Sequence, residues 1–339
     1  MKLISALLVF FSAAITHAQS VQGLQGLIPG SREAASSNTA RLNKALTTNS
    51  RFIRLPVGTF YINGPIETQV VNGCGRIATD GSFGYVMDYH GTLSGSKTQI
   101  VQLTPGAPVF RLRGAGFVLD DPIELVETGG AAIEIEGRGK GLACGRHSFR
   151  HLMVRDCTYA FRCLPGYYEQ GKLIPDEEHA DICTVQDSEF CNVESVFRSE
   201  NQQSLDWTFT NITVNVLGHH DRCIVADILR GGFVRIEGLN IEHPRTTIFR
   251  VRDFSPNQCY MTCHGIHGDR AADGGANDSF TLFEYNGDPK AAAWSKWYVD
   301  FTGFVATYQT KFDKSVLLRV PANLPTDGID YKGLKGLPE

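Results

Sequence analysis

Phe149-Arg-His-Leu-Met-Val154, Val185-Gln-Asp-Ser-Glu-Phe190, Phe209-Thr-Asn-Ile-Thr-Val214, Ile236-Glu-Gly-Leu-Asn-Ile241 and Met261-Thr-Cys-His-Gly-Ile266 read as copies of one short unit. Val299-Asp-Phe-Thr-Gly-Phe304 is a looser sixth copy. Apolar residues hold the first and last places. The last places run 36 residues from Val154 to Phe190, then 24 to Val214, 27 to Ile241, 25 to Ile266 and 38 to Phe304. A period near 25 with insertions, built on a short strand-type pattern, marks a β-solenoid. The third place holds His151, Asp187, Asn211, Gly238 and Cys263. Gly, Asn and Asp tolerate a left-handed backbone, so this place reads as a tight bend between two strands of one coil.

A second kind of strand follows a little later in the repeats: Ala160-Phe-Arg-Cys163, Val196-Phe-Arg-Ser199, Ile248-Phe-Arg-Val251, Leu282-Phe-Glu-Tyr285 and Leu317-Leu-Arg-Val320. Strand alternation turns Phe or Leu inward and the next residue outward. The outward column is then Arg162, Arg198, Arg250, Glu284 and Arg319. Coils stack roughly 4.8 Å apart, so four arginines are expected along one flank. Stacked like charges repel, by about 1 kcal/mol or less per exposed pair. A bound polyanion would relieve this through bidentate contacts; pairing with nearby acids such as Glu194, Glu200, Asp253 and Glu284 would relieve it equally.

Upstream, Asn38-Thr-Ala-Arg-Leu-Asn-Lys-Ala-Leu46 reads as a short helix capped by Asn38 or Ser37. Phe52-Ile-Arg-Leu-Pro-Val-Gly-Thr-Phe-Tyr-Ile62 then reads as two strands broken at Pro56 and Gly58. This helix and the run RFIRLPVGTFYINGPIE, residues 51–67, resemble the opening of pectate-lyase-superfamily proteins. The resemblance covers about residues 35–320. It implies an all-β fold: a single-stranded right-handed parallel β-helix with a short N-terminal capping helix. An open solenoid end exposes unpaired strand edge, which such a helix covers. The resemblance also implies an extended glycan as ligand and an activity among lyases, glycoside hydrolases, epimerases and surface adhesins. Fold alone does not choose among these. The polygalacturonase set of Asn-Thr-Asp, Asp-Asp, Gly-His-Gly and Arg-Ile-Lys is missing, and Cys263-His-Gly-Ile-His-Gly268 matches its histidine element only superficially. No family catalytic residue carries over.

The expected organisation is a secretory signal at 1–18, a lead-in at 19–36, the β-helix at 37–320 and a tail at 321–339. Lys2, the apolar run from Leu3 to Ile15, and Thr16-His17-Ala18 supply the signal's charged end, core and cleavage site. The mature protein is thus expected to be secreted, periplasmic or at the cell surface. No later segment is apolar enough to span a bilayer. The net charge of −4 over 339 residues argues against nucleic acid or an anionic membrane as partner. Nine cysteines, an odd number without CxxC pairs, read mainly as buried apolar side chains. Cys157–Cys191 or Cys163–Cys183 bridges are the alternative that an oxidising compartment permits.

Candidate chemistry sits on outward places around the bend column: His151, Arg155, Asp187, Glu189, Asn211, Asn215, Asn240, Glu242 and His267. Asp187 and Glu189 could share a face some ~6–7 Å apart. Such a pair can serve as acid and base in glycoside hydrolysis, or hold a Ca²⁺ that neutralises a uronate. Asp at a bend equally serves the backbone. Arg155 and Arg198 are candidate bases for a lyase, and Asp206, before Trp207, is a candidate acid or a turn cap. Substrate would meet Arg162, Arg198, Arg250 and Arg319, and also Tyr167 and Tyr168 on the insertion at 165–179. With a second insertion at 269–279, that loop is expected to wall a groove. Gly218-His-His-Asp-Arg222 matches no strong metal template. The expected function is a lyase or hydrolase on an acidic polysaccharide, with Ca²⁺ where the chemistry is a lyase's. The alternative is a non-catalytic glycan-binding or surface-structural β-helix.

Overall fold

In a computed structural model of the chain, the structure describes residues 24, 26–48, 52–81, 97–127, 129–137, 144–176, 180–215, 220, 222–242, 245–252, 259–268, 281–287, 297–302, 305–306, 318–320 and 329–333. The expected signal at 1–18, most of the 216–221 loop and the 269–279 insertion lie outside these residues.

The chain is a parallel β-helix. Successive coils begin with the strands that start at Phe52, Asn72, Ala115, Ser148, Cys183, Trp207, Phe233, Cys259 and Trp297. Each pairs in parallel with the coil before and after it. A coil has three faces. In the fifth, Cys183–Cys191 runs through the first two faces, bending at Asp187, and Ser195–Ser199 forms the third. Face one and face two belong to one 15-stranded sheet, and face three is a separate 9-stranded sheet.

The corners explain why this sequence coils. Between faces one and two, His151, Asp187, Asn211, Gly238 and Gly265 have φ of 55°, 48°, 52°, 74° and 67°. This is the left-handed region, where Gly is at ease and Asn or Asp adapts at small cost. The fifth bend is Gly265 and not Cys263, because Ile236 pairs with Cys263 and Leu239 with Ile266. The fifth unit is therefore Cys263–Gly268, two residues further on. A shift of two preserves the inward–outward pattern and moves only the bend. A second corner, before face one, places Arg146, Ile182 and Asp206 at φ of 58°, 57° and 55°.

Inward side chains fill a dry interior. Phe149, Val185, Phe209, Ile236, Cys263 and Phe301 form one buried column of face one. Aromatic rings cross the interior between faces. Phe161 of face three lies 5.0 Å from Phe149 and 5.8 Å from Trp207, and Phe197 lies 4.4 Å from Trp207. Such pairs contribute about 0.5–1.5 kcal/mol each beyond their burial. The eight described cysteine side chains are buried and free, so the apolar reading of them holds and neither suggested bridge is present.

The helix runs Ala35–Thr47 and packs against the first coil. Its N-cap is Ala34, without a side-chain cap bond. Asn38 is buried inside the helix. It accepts from Ile28 N at 3.0 Å and donates to Ile28 O at 3.0 Å and Tyr61 O at 3.2 Å. Asn38 thus ties the lead-in to the first coil, and the described part of the lead-in is held there: Leu24 N also donates to Arg54 O and Gly30 N to Thr59 O. At the other end, Ile329–Gly333 adds a strand beside Trp297–Thr302, so coiling continues beyond residue 320.

Candidate functional site on the second face

The arginine column departs from the sequence reading. In register along face three stand Glu67, Arg111, Glu134, Arg162, Arg198, Asp227, Arg250, Glu284 and Arg319. The coil containing Cys223–Ile228 inserts Asp227 between Arg198 and Arg250. The column alternates in sign except at Arg162 and Arg198. There Glu200 accepts from Arg162 Nε at 3.2 Å and from Arg198 Nε at 2.6 Å. Burial raises the proton affinity of Glu200, but these bonds outweigh it and hold its carboxyl below the usual range. The column is thus internally neutralised and mostly covered, and the repulsion that a polyanion would have relieved is already relieved by protein carboxylates.

One of the two tyrosines, Tyr168, serves the same column. The chain leaves Cys163 into an antiparallel hairpin, Gly166–Glu169 with Lys172–Pro175. It lays the Tyr168 ring over Arg111, with the guanidinium carbon 4.2 Å from the ring centre, and Tyr168 N donates to Glu136 Oε1. Tyr168 is a lid on the ladder, and Tyr167 sits beside it on the same hairpin strand.

The four proposed catalytic residues separate. Asp187 sits at the bend, near Arg150 at 3.7 Å and His151 at 3.9 Å, and it accepts from Asn211 Nδ2 at 2.8 Å. Asp206 occupies the corner before face one, half exposed, 3.4 Å from Arg235. Glu189 and Arg155 share face two, in adjacent outward columns: Met153 pairs with Glu189 and Arg155 with Cys191.

Around Glu189 the second face forms a polar site. Face-two columns are short, and outward places two residues apart become neighbours, so ladders of like position meet side by side. Below Glu189, Glu124 is fully buried. Lys97 Nζ lies 2.8 Å from its Oε2, and Arg155 Nη1 lies 3.4 Å from its Oε1. Both cations are partly exposed, and Arg155 also faces the Glu189 carboxyl. Beside Glu189, the Cys191 thiol donates to Glu189 Oε1 at 3.2 Å. Burial pushes the Glu189 carboxyl above the usual range. The Cys191 hydrogen bond and Arg155 pull it back, and Glu242 adds to the rise. Above, Thr213 and then Asn240 follow Glu189 in register. Asn240 Nδ2 donates to Glu242 Oε1 at 3.1 Å, and Asn240 Oδ1 is 2.8 Å from His267 Nδ1. A carbonyl oxygen only accepts, so His267 carries its proton on Nδ1, and the relay fixes the Glu242 carboxylate. Sequence reading placed Asn240, Glu242 and His267 outward without joining them. Their union depends on the register shift at Gly265, which sets His267 directly above Asn240.

Among the described residues no group of His, Cys, Asp or Glu is arranged to hold a metal ion, and no helix is long and apolar enough to cross a membrane. Comparison of the chain with protein-family models, curated proteins and solved structures gives no significant match.

Proposed function

We propose that this β-helix is an exported glycoside hydrolase acting on an extended acidic polysaccharide laid along face two. Glu189 carries the reading: a half-buried carboxyl whose proton affinity is raised, on the outward side of a long flat sheet. A general acid must hold its proton until the glycosidic oxygen takes it, and a raised carboxyl keeps it to higher pH than an ordinary glutamate does. Glu242, two coils on and one place along, is the matching base. Strand and coil spacings put the two Cα atoms roughly 12 Å apart on the same face, and inversion would place a water between the base and the sugar. The Asn240–His267 relay keeps Glu242 oriented. Lys97 and Arg155, both partly exposed beside Glu124, are the cations that a uronate carboxylate would meet. A lyase acting on a polyanion draws no such support from face three, whose arginines are taken up by acids.

The test is the release of reducing ends from a panel of acidic glycans by the wild-type chain and by Glu189→Gln. Reducing ends lost in the variant support the hydrolase. Unsaturated uronate products mark a lyase, and retention of glycan without products marks a binding protein; either result overturns the proposal.

A further inference from the structure

Asn211-Ile-Thr213 is an Asn-x-Thr tripeptide without proline in the middle. That is the acceptor sequence for N-linked oligosaccharide in chains that pass through a secretory compartment. The tripeptide begins at the corner between faces one and two, in the coil that starts at Trp207, where Asn211 has φ of 52°. Along Trp207–Asn215 the inward places are buried and the outward places half-buried; Asn211 alone is exposed. The only other tripeptide of this form, Asn277-Asp-Ser279, lies outside the described residues.

The corner has room for a bulky attachment. On one side, Asn211 Nδ2 donates to Asp187 Oδ1 at 2.8 Å. A side-chain amide nitrogen carries two hydrogens. A sugar on that nitrogen displaces one, and the other can still serve Asp187. On the opposite side, the corner stack continues through Gly238 and Gly265, which have no side chains. Among the described residues, a Cβ at Gly238 would meet only Asn211 N and Cα, at 3.6 Å, and one at Gly265 only Gly238 N and Cα, also at 3.6 Å. The ledge beside Asn211 is therefore clear of side chains for two coils, roughly 10 Å. Ile212, by contrast, is anchored in the core at 1% exposure. Once the coil has closed, the tripeptide cannot be drawn out into the groove of another enzyme. Attachment therefore precedes closure, and the exposed corner lets the coil close with the sugar outside.

We infer that Asn211 is an attachment site for an N-linked oligosaccharide. The donor is a lipid-linked oligosaccharide pyrophosphate, acted on by a transferase of the secretory membrane. A bond forms between Asn211 Nδ2 and C1 of the innermost sugar. The bond from C1 to the pyrophosphate oxygen breaks, the lipid pyrophosphate leaves with its electron pair, and the amide gives up one proton. Nothing is oxidised or reduced. The Thr213 hydroxyl is the second element that the transferase reads. The inference rests on the export reading carried by Lys2, the apolar run that follows it and Thr16-His17-Ala18. It does not depend on the chemistry proposed for Glu189.

The experiment expresses the full chain in cultured animal cells, once with its own residues 1–18 and once with the leader of a known secreted protein in their place. Chain from cells and medium together is digested, and the peptide holding Asn211 is weighed before and after treatment with a peptide N-glycosidase. The expected result with either leader is an oligosaccharide on that peptide, and conversion of Asn211 to aspartate when the enzyme removes it. Asn211→Gln and Thr213→Ala should each abolish the attachment, and Thr213→Ser, which keeps the hydroxyl, should retain it. Reading the total chain scores a variant even where it folds or leaves the cell poorly. The peptide holding Asn277 is weighed separately, so the two acceptors are not confused. Unmodified Asn211 behind the foreign leader overturns the site itself, as does an attachment that survives Thr213→Ala. Modification behind the foreign leader alone overturns the inference through its export premise, with the corner still an acceptor. Failure to hydrolyse any acidic glycan would touch only the Glu189 proposal.

Discussion

Arg250 grips Asp227 with two parallel hydrogen bonds, Nε to Oδ1 at 2.8 Å and Nη2 to Oδ2 at 2.8 Å. Asp227 is fully buried, and Arg198 and Arg252 also reach it, at 2.8 and 3.3 Å. Three guanidiniums therefore converge on one carboxylate, with Arg198 also held by Glu200. Buried pairs contribute little over an apolar pair, but removing one partner strands the other. Asp227→Asn should cost about 3–5 kcal/mol of stability. Arg319→Ala, at the exposed end of the same column, should cost less than about 1 kcal/mol. Urea midpoints of the two variants check this, and equal losses would contradict the buried-ladder account.

The bend column gives a second expectation. Gly265 has φ of 67° and Asn211 has φ of 52°. Adding a Cβ in the left-handed region costs roughly 1–2 kcal/mol, so Gly265→Ala should destabilise by about that much. Asn211→Gly should come out close to neutral, losing the bond to Asp187 and gaining backbone ease. Asn211→Val should be the worst of the three, since a β-branched residue fits that region poorly. Thermal melts would order them, and a neutral Gly265→Ala would argue against a strained corner there.

These two cases also show what the sequence made legible. The unit Val185–Phe190 states its bend openly, because Asp187 and the flanking apolar residues all agree. The coil at Cys223–Ile228 was overlooked because Ala226 takes the inward place that Phe161, Phe197, Phe249 and Phe283 hold elsewhere. The signal was nonetheless there: Arg198 and Arg250 are 52 residues apart, about two repeats, so one outward residue had to lie between them. The fifth unit slipped by two because both Met261 and Cys263 are buried on alternate places, and alternation alone cannot tell one from the other. The Glu189 site was half legible. Strand alternation put Glu189 and Arg155 outward, but burial of Glu124 and the Asn240–Glu242 bond depend on side chains meeting across coils. The helix was found, while its cap was misassigned, because Asn38 satisfies distant backbone groups instead of its own helix end.

His147 should make the fold acid-sensitive. Its ring is buried, Nδ1 accepts from Phe117 N at 3.1 Å, and Nε2 faces Cys144 O at 3.2 Å. Burial lowers its pKa from 6.5 to about 4, with the Cys144 carbonyl opposing that shift. A folded pKa below the unfolded one means that the unfolded chain takes up the proton first. The neutral ring's contribution is complete above about pH 6.5 and is lost as pH falls through about 4. Two and a half units correspond to about 3 kcal/mol. His147→Gln can still accept from Phe117 N, and it should flatten this part of the stability–pH curve. An unchanged slope between those pH values would show that other groups dominate.

Glu189 should show the opposite sign. Burial raises its carboxyl, so the folded state holds the proton more tightly than the unfolded chain. Its contribution to stability is complete below the ordinary glutamate pKa and is lost as pH rises through the raised value. Glu189→Gln, which cannot ionise, should therefore gain stability over wild type as pH rises, and gain nothing in acid. The same proton serves catalysis: Glu189→Gln should lower turnover by about 10²- to 10⁴-fold. Cys191→Ala removes the thiol bond that pulls the carboxyl down. Its activity should then persist to higher pH than wild type's, with the basic limb of the profile displaced upward. Titrating both readouts on one set of proteins separates the roles. A stability difference that grows with pH beside an unmoved basic limb would leave Glu189 a buried acid without a catalytic part.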